Sequence, residues 1–171
     1  GLNHSHYSAL QVKNALVDLQ WDLWGERSSI DLDHPDLALH LHLNRGGAVL
    51  SLDGSGGSLH RRGYRAAMGA APLKENLAAG LIQLTGWDGR VPLVDPCCGS
   101  GILLIEAVTM ALQQAPGLGR PFGLGGWADF DSALWEREEE RARQRRRSDL
   151  DLAPVIGYEQ DPLVAEQARD N

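Results

Sequence analysis

The chain has 171 residues, 43% of them apolar and 23% charged, a formal net charge of −7, and two adjacent cysteines, Cys97 and Cys98. Neighbouring cysteines rarely bridge each other, so a disulfide framework is excluded and a reducing, cytoplasmic setting is the default. No run approaches the ~18–20 continuous apolar residues of a membrane span, and the acidic balance counts against a broadly basic nucleic-acid binder while leaving room for a local patch.

In chain order, HYSALQVKNALVDLQWDLWG (6–25) spaces Ala9, Leu10, Val12, Ala15, Leu16, Leu19 and Leu23 as one face of a helix ending at Gly25. That face is expected to lie on a sheet or another helix, with Trp21 and Trp24 packing rather than stacking. LALHLHLN alternates as a half-buried strand, RGG turns the chain, and AVLSLDG follows, so residues 37–53 predict a hairpin with His40 and His42 on its polar face. A glycine-rich, basic connector, SGGSLHRRGYRAAMGAAP, leads into a helix over PLKENLAAGLIQLTGW (72–87). Pro72 stands in its first turn, Leu73, Leu77, Ala78, Leu81, Ile82 and Leu84 make its apolar face, and Gly86 lies past its end.

VPLVD is a short strand ending in an acid, and a glycine turn follows it. Next come a helix over 102–114, a Gly/Pro-rich loop (115–130), and a charged helix capped by Asp131 or Ser132. APVIGYEQD is a second apolar strand ending in acids, and DPLVAEQARDN begins another helix. From residue 91 onward this alternation predicts a parallel sheet with right-handed crossovers, the first half of a doubly wound α/β domain. Helical patterns at both ends lead us to expect an internal piece of a longer protein.

The chemistry centres on VDPCCGSGILLIEA, residues 94–107. A metal site needs separated ligand pairs, and no second Cys or His cluster supplies one. A dinucleotide fingerprint needs a third glycine where Leu104 stands. Asp95 at the strand end would also repel a pyrophosphate bound at the next helix. A carboxylate there suits a cationic, hydroxyl-bearing, phosphate-free ligand such as S-adenosylmethionine, and Gly99 and Gly101 allow close backbone approach. A carboxylate of YEQD lies at the same sheet edge, placed for ribose hydroxyls.

LVDPCCGSGILLIEA resembles motif I of the class I S-adenosylmethionine-dependent methyltransferases, in the D-P-x-C-G-S-G form of the RNA and DNA amino-methylating branch. LDGSGGSLHRRGYRAAMGAAPLKENLAAGLI is similar to the connector and helix of THUMP-domain RNA methyltransferases. APGLGRPFGLGGWADFDSALW is similar to the insertion after motif I in bacterial large-subunit ribosomal RNA guanine-N2 methyltransferases. The resemblance covers the whole chain. It implies a partial Rossmann-like methyltransferase domain (72–171) preceded by an α+β THUMP-type RNA-binding remnant (1–55) and a connector (56–71).

It further implies that Asp95, Pro96, Cys97, Gly99, Ser100 and Gly101 cradle the methionine side of S-adenosylmethionine, with Asp95 reaching its amino group. Glu159 holds the ribose acid position, where many relatives have Asp. Asp161 assists or caps the next helix, and Pro72, Leu73 and Lys74 line the pocket. The family's Asn-Pro-Pro-Tyr motif, which orients the guanine amine and stacks the flipped base, is absent from these residues. No catalytic residue is therefore expected within 1–171, and no metal. The implied partner is large-subunit ribosomal RNA. Transfer RNA, another exocyclic amine, a binding-only RNA module and a nicotinamide-dependent oxidoreductase are the alternatives.

Two basic segments have two readings each. In HRRGYR, Arg61, Arg62 and Arg65 could contact RNA phosphates with Tyr64 stacking, or the arginines could pair with acids in a structural hinge. REEERARQRRR reads as an RNA-binding helix or as a solvated helix paired through Glu138–Arg141 and Glu139–Arg143.

Overall fold

The computed structural model describes residues 4–65 and 73–171. They divide into two units: Gly1–Gly56 with Gly123–Ala128, and Gly57–Phe122 with Asp129–Asn171. No helix among the described residues is long and apolar enough to cross a membrane.

The first unit opens with α1, Ser5–Trp24. The His4 ring accepts the Tyr7 N–H at 3.2 Å, and Gly25 closes the helix at φ 72°, a left-handed conformation that glycine takes without strain. Strands β1 (Ala38–Asn44) and β2 (Gly47–Asp53) pair antiparallel, from Ala38 opposite Asp53 to Asn44 opposite Gly47. Arg45 (φ 40°) and Gly46 (φ 86°) form the two-residue turn, both left-handed as a tight hairpin demands. His40 reaches Asp53 across the ladder at 3.2 Å.

Two expectations change in this unit. The apolar face of α1 is not covered by the hairpin: Trp21 and Trp24 are 56% and 70% exposed, and Leu10, Leu19 and Leu23 are exposed too. Two strands offer too little surface to bury a twenty-residue helix. The continuous boundaries expected at 55/56 and 71/72 also differ from the observed units. Gly123–Ala128, inside the long loop, belongs to the first unit and carries a 3-10 turn over Gly123–Gly126. Its Leu124 N–H donates to Gly54 O at 3.0 Å, and a Cβ on Gly123 would stand 3.0 Å from the Gly56 nitrogen. Residues 57–65 of the expected connector group with the second unit.

In the second unit, β3 (Leu93–Asp95) and β4 (Val155–Gly157) run parallel, with Asp95 opposite Gly157. Helices α2 (Glu75–Thr85), α3 (Ile102–Ala111), α4 (Ser132–Arg145) and α5 (Pro162–Asp170) accompany them. The α2 face that is buried is the line Glu75, Ala78 and Ile82, narrower than the stripe expected from sequence. Leu77, Leu81 and Leu84 are exposed. Ile102 and Ala107 of α3 complete the buried apolar set. Asp131 caps α4 by accepting the Leu134 N–H at 2.8 Å, and Trp135 packs edge-on against Phe122 with ring centroids 5.0 Å apart. Arg141–Glu138 (2.8 Å) and Arg143–Glu139 (3.0 Å) pair along α4 as the helix-neighbour spacing predicts.

A charged network sits within this core. Glu106 of α3 is fully buried. It accepts a hydrogen bond from the Tyr64 hydroxyl at 2.9 Å and pairs with Arg62 at 3.2 Å. Glu75 pairs with Arg65 at 3.1 Å, and Arg65 also donates to the Leu73 carbonyl. Desolvation pushes the Glu106 carboxyl above the usual glutamate range, although Tyr64 and Arg62 both favour its charged form.

At Gly157, β4 leaves no room for a side chain beside Leu104 of α3 and Cys98 of the turn. A Cβ there would lie 2.6 Å from Leu104 Cδ1 and 2.8 Å from Cys98 Sγ. Gly157→Ala is therefore expected to destabilise the protein by about 1–3 kcal/mol through overpacking, read from urea denaturation. Glu106→Ala leaves Arg62 buried without its partner and is expected to cost about 3–5 kcal/mol. An unchanged urea midpoint in Glu106→Ala would remove the network from the account of stability.

Candidate functional site

The site is built where β3 ends. Asp95 closes the strand, residues 96–101 turn the chain, and α3 starts at Ile102. The backbone holds the turn against the end of β4: Tyr158 N–H donates to Asp95 O at 2.8 Å, and Cys98 N–H donates to Tyr158 O at 2.9 Å. Within the turn, Asp95 Oδ1 accepts the Cys97 N–H at 3.0 Å, and Cys98 O accepts the Gly101 N–H at 2.9 Å. Gly99 (φ 53°) and Gly101 (φ 80°) are both left-handed, which is why glycines stand there.

Side chains sixty residues later complete the arrangement. Glu159 Oε2 accepts the Gly99 N–H at 3.0 Å, while its Oε1 accepts the Asp161 N–H at 3.0 Å. Asp161 caps α5 by accepting the Leu163 N–H at 2.9 Å. From the far end of α5, Asn171 Nδ2 donates to Ser100 O at 3.1 Å, and Ala168 lies 3.4 Å from where a Cβ on Gly101 would stand.

Two carboxylates thus flank one glycine turn, and they differ in what they still lack. Asp95 Oδ2 is buried and finds no hydrogen-bond partner among the described residues. A buried carboxylate oxygen left this way invites a donor. A Cβ on Gly99 would meet nothing within 4 Å, so the turn faces open space. The residues present therefore fit a small ligand that brings a hydrogen-bond-donating cation. Two concavities lie elsewhere. One of about 570 Å³ runs along α4 past Ala133, Arg137 and Arg141, and one of about 160 Å³ lies between Trp135, Phe122 and Leu118.

The two cysteines differ in their surroundings. Cys97 is exposed and Cys98 half-buried, its Sγ packed toward Gly157. Burial pushes the Cys98 thiol up, with the Asp95 and Glu159 carboxylates adding to the shift, so it is a poor nucleophile. No group of three or more His, Cys, Asp or Glu among the described residues is placed to hold a metal.

Pro72 lies outside the described residues; Leu73 is half-buried with its carbonyl taken by Arg65, and Lys74 is exposed at the start of α2. Arg62, Tyr64 and Arg65 correct the RNA-contact reading, because their polar ends are turned inward onto Glu106 and Glu75. The Arg62 and Arg65 side chains are only 12% and 11% exposed. Arg61 alone of the four is exposed. Asn171 and Glu106 were missed by sequence reasoning. A single acid inside the apolar run ILLIEAV was the available signal for Glu106, whereas the reach of Asn171 to Ser100 had none.

Comparison with known proteins fits this geometry. Residues 62–171 match the family model for RMKL-like methyltransferase domains, and residues 1–53 match the THUMP domain. The Synechocystis protein slr0064, assigned as an RNA methyltransferase, is 48% identical over 99% of this chain, which covers 44% of that protein. The ribosomal RNA large subunit methyltransferase K/L of Syntrophotalea carbinolica is 48% identical over 99% of this chain, which spans only 25% of its length. The crystal structure of SMU.472, assigned as a methyltransferase and complexed with SAH, superposes with a TM-score of 0.82 and 34% identity, covering 92% of this chain and 41% of that one. The chain belongs to the RMKL-like methyltransferase-domain family, and it carries a THUMP domain ahead of that domain.

Proposed function

We infer that the second unit supplies the S-adenosylmethionine cradle of a ribosomal RNA methyltransferase that acts on the N2 of a guanine in large-subunit RNA. The observation that carries the reading is the pair of flanking carboxylates, above all the buried, partnerless Asp95 Oδ2. An ammonium offers three donors and a positive charge, and so answers what that oxygen lacks. Glu159 spends one acceptor direction of each oxygen on Gly99 and Asp161. Each carboxylate oxygen offers about two such directions, so one on each is left, matching a ribose diol in number.

S-adenosylmethionine bound here supplies an electrophilic methyl group on a sulfonium. The chain's own part is to bind and orient: Asp95 at the amino end, the Pro96–Gly101 backbone beneath, with Cys97 and Ser100 in it, and Glu159 at the ribose. Asp161 orients Glu159 through its backbone N–H. Pro72, Leu73 and Lys74 are assigned to the pocket wall on the resemblance alone. RNA contact is assigned to the THUMP unit; in the second unit, Arg61 is the exposed arginine of HRRGYR and a separate candidate.

A nicotinamide dinucleotide is disfavoured by two features. An anionic pyrophosphate would meet both carboxylates, and the third glycine of that fingerprint is Leu104. Its bulk is accommodated by Gly157 on the strand side, as the 2.6 Å to a Cβ placed there indicates. The relatives' names concern proteins at least twice as long as this chain, so guanine N2, rather than transfer RNA or another exocyclic amine, remains our proposal.

Calorimetry on residues 1–171 tests the cofactor. S-adenosylhomocysteine is expected to bind, and Asp95→Ala to weaken it by about 1.5–3 kcal/mol, the range of a hydrogen bond to a charged group. Absence of binding by the unmodified chain, or binding of NADH in its place, would reject the reading. Because the Asn-Pro-Pro-Tyr segment is not in these residues, residues 1–171 with S-adenosylmethionine and ribosomal RNA are expected to transfer no methyl above blank. Labelled methyl appearing in the RNA would overturn that.

A further inference from the structure

We propose that Glu159 has a second task beside the ribose: it is a positioning residue that ties the Gly99–Gly101 turn to the start of α5 and so holds the cradle formed before a ligand arrives. The part about ligand affinity rests on the cofactor reading above, whereas the tie itself does not.

The argument comes from how acids behave elsewhere in this chain. Five aspartates accept the backbone N–H two residues ahead. Asp31 takes Asp33 (2.8 Å), Asp53 takes Ser55 (2.8 Å), Asp88 takes Arg90 (3.1 Å), Asp95 takes Cys97 (3.0 Å) and Asp161 takes Leu163 (2.9 Å). That local closure is what a short acid does after an extended residue. Glu159 makes the same closure, onto the Asp161 N–H with Oε1, and with its extra methylene also reaches Gly99 with Oε2. An aspartate at 159 would keep the local bond and lose the long one.

The amide it holds is a demanding one. Gly99 sits at φ 53° in open space, with no side chain of its own to fix it. Its neighbours are already anchored, Cys98 through Tyr158 O and Ser100 through Asn171. The Glu159 bond closes the middle of that row. A turn so held loses less conformational freedom when a ligand binds.

The test uses the chain of 171 residues in solution. In isotopically labelled wild-type protein without ligand, a through-hydrogen-bond coupling between the Gly99 amide nitrogen and the Glu159 side-chain carboxyl carbon is expected. Its absence would overturn the tie without any variant. In Glu159→Asp, Gly99 amide exchange should rise about tenfold, the factor a net hydrogen bond contributes, while Asp161 exchange stays put. In Glu159→Ala both should rise. Equal Gly99 exchange in wild type and Glu159→Asp would refute the proposal.

Calorimetry with S-adenosylhomocysteine then separates the claims. Glu159→Asp keeps its charge yet should bind about tenfold more weakly, by the loss of one net hydrogen bond's worth of preorganisation. Undiminished affinity in that variant would overturn the preorganising role. No binding by the wild type, with the Gly99 coupling present, would sink the cofactor reading and leave the tie standing.

Discussion

The second unit depends on one backbone exchange. Tyr158 donates to Asp95 and accepts from Cys98, so the strand end of β4 is stitched to both the last residue of β3 and the middle of the glycine turn. Parallel strands alone would bring Asp95 opposite Gly157 and stop there. The exchange carries the pairing one residue further along the chain that leaves β4, to Tyr158, past the sheet edge. It is this continuation that places a side chain from residue 159 within hydrogen-bond reach of residue 99. Remove it, and the two carboxylates belong to separate loops.

Buried acids occur both in the core and at the sheet edge of the second unit. Toward the core, Glu106 is sealed from water and partnered by Arg62 and Tyr64, which fastens the segment before α2 to the helix that follows the turn. Toward the sheet edge, Asp95 keeps one oxygen buried and partnerless. A buried carboxylate without a donor is costly. Glu106 Oε2 and Glu75 Oε2 are likewise buried without a hydrogen-bond partner, but Arg62 and Arg65 stand against those two glutamates, whereas Asp95 lies beside a turn that faces open space.

What could be read from sequence was what local spacing controls. The hairpin, the four helices of the second unit, the parallel strand pair and the Glu138/Glu139 pairings with Arg141 and Arg143 all repeat with periods of two to four residues. The turn was legible because its glycines and flanking acid are contiguous. The fate of HRRGYR was not. Arginines and a tyrosine in a row look like an RNA patch, and only a partner 42 residues away, Glu106, turns Tyr64 inward. The exposure of α1 was equally beyond reach, because an apolar stripe shows that a helix can be buried without showing whether anything covers it.

The membership of Gly123–Ala128 in the first unit has a topological consequence. The polypeptide passes from one unit to the other three times, at 56–57, at 122–123 and at 128–129. A single nick between Gly56 and Gly57 would leave residues 1–56 with no covalent link to Gly123–Ala128, the rest of their own unit, which stays in the other fragment. Expressing residues 57–171 by themselves would strip Leu124 of the Gly54 carbonyl that its N–H engages. The first unit is interleaved with the second along the chain, so neither can be excised as a continuous stretch of sequence without carrying off a strip of the other.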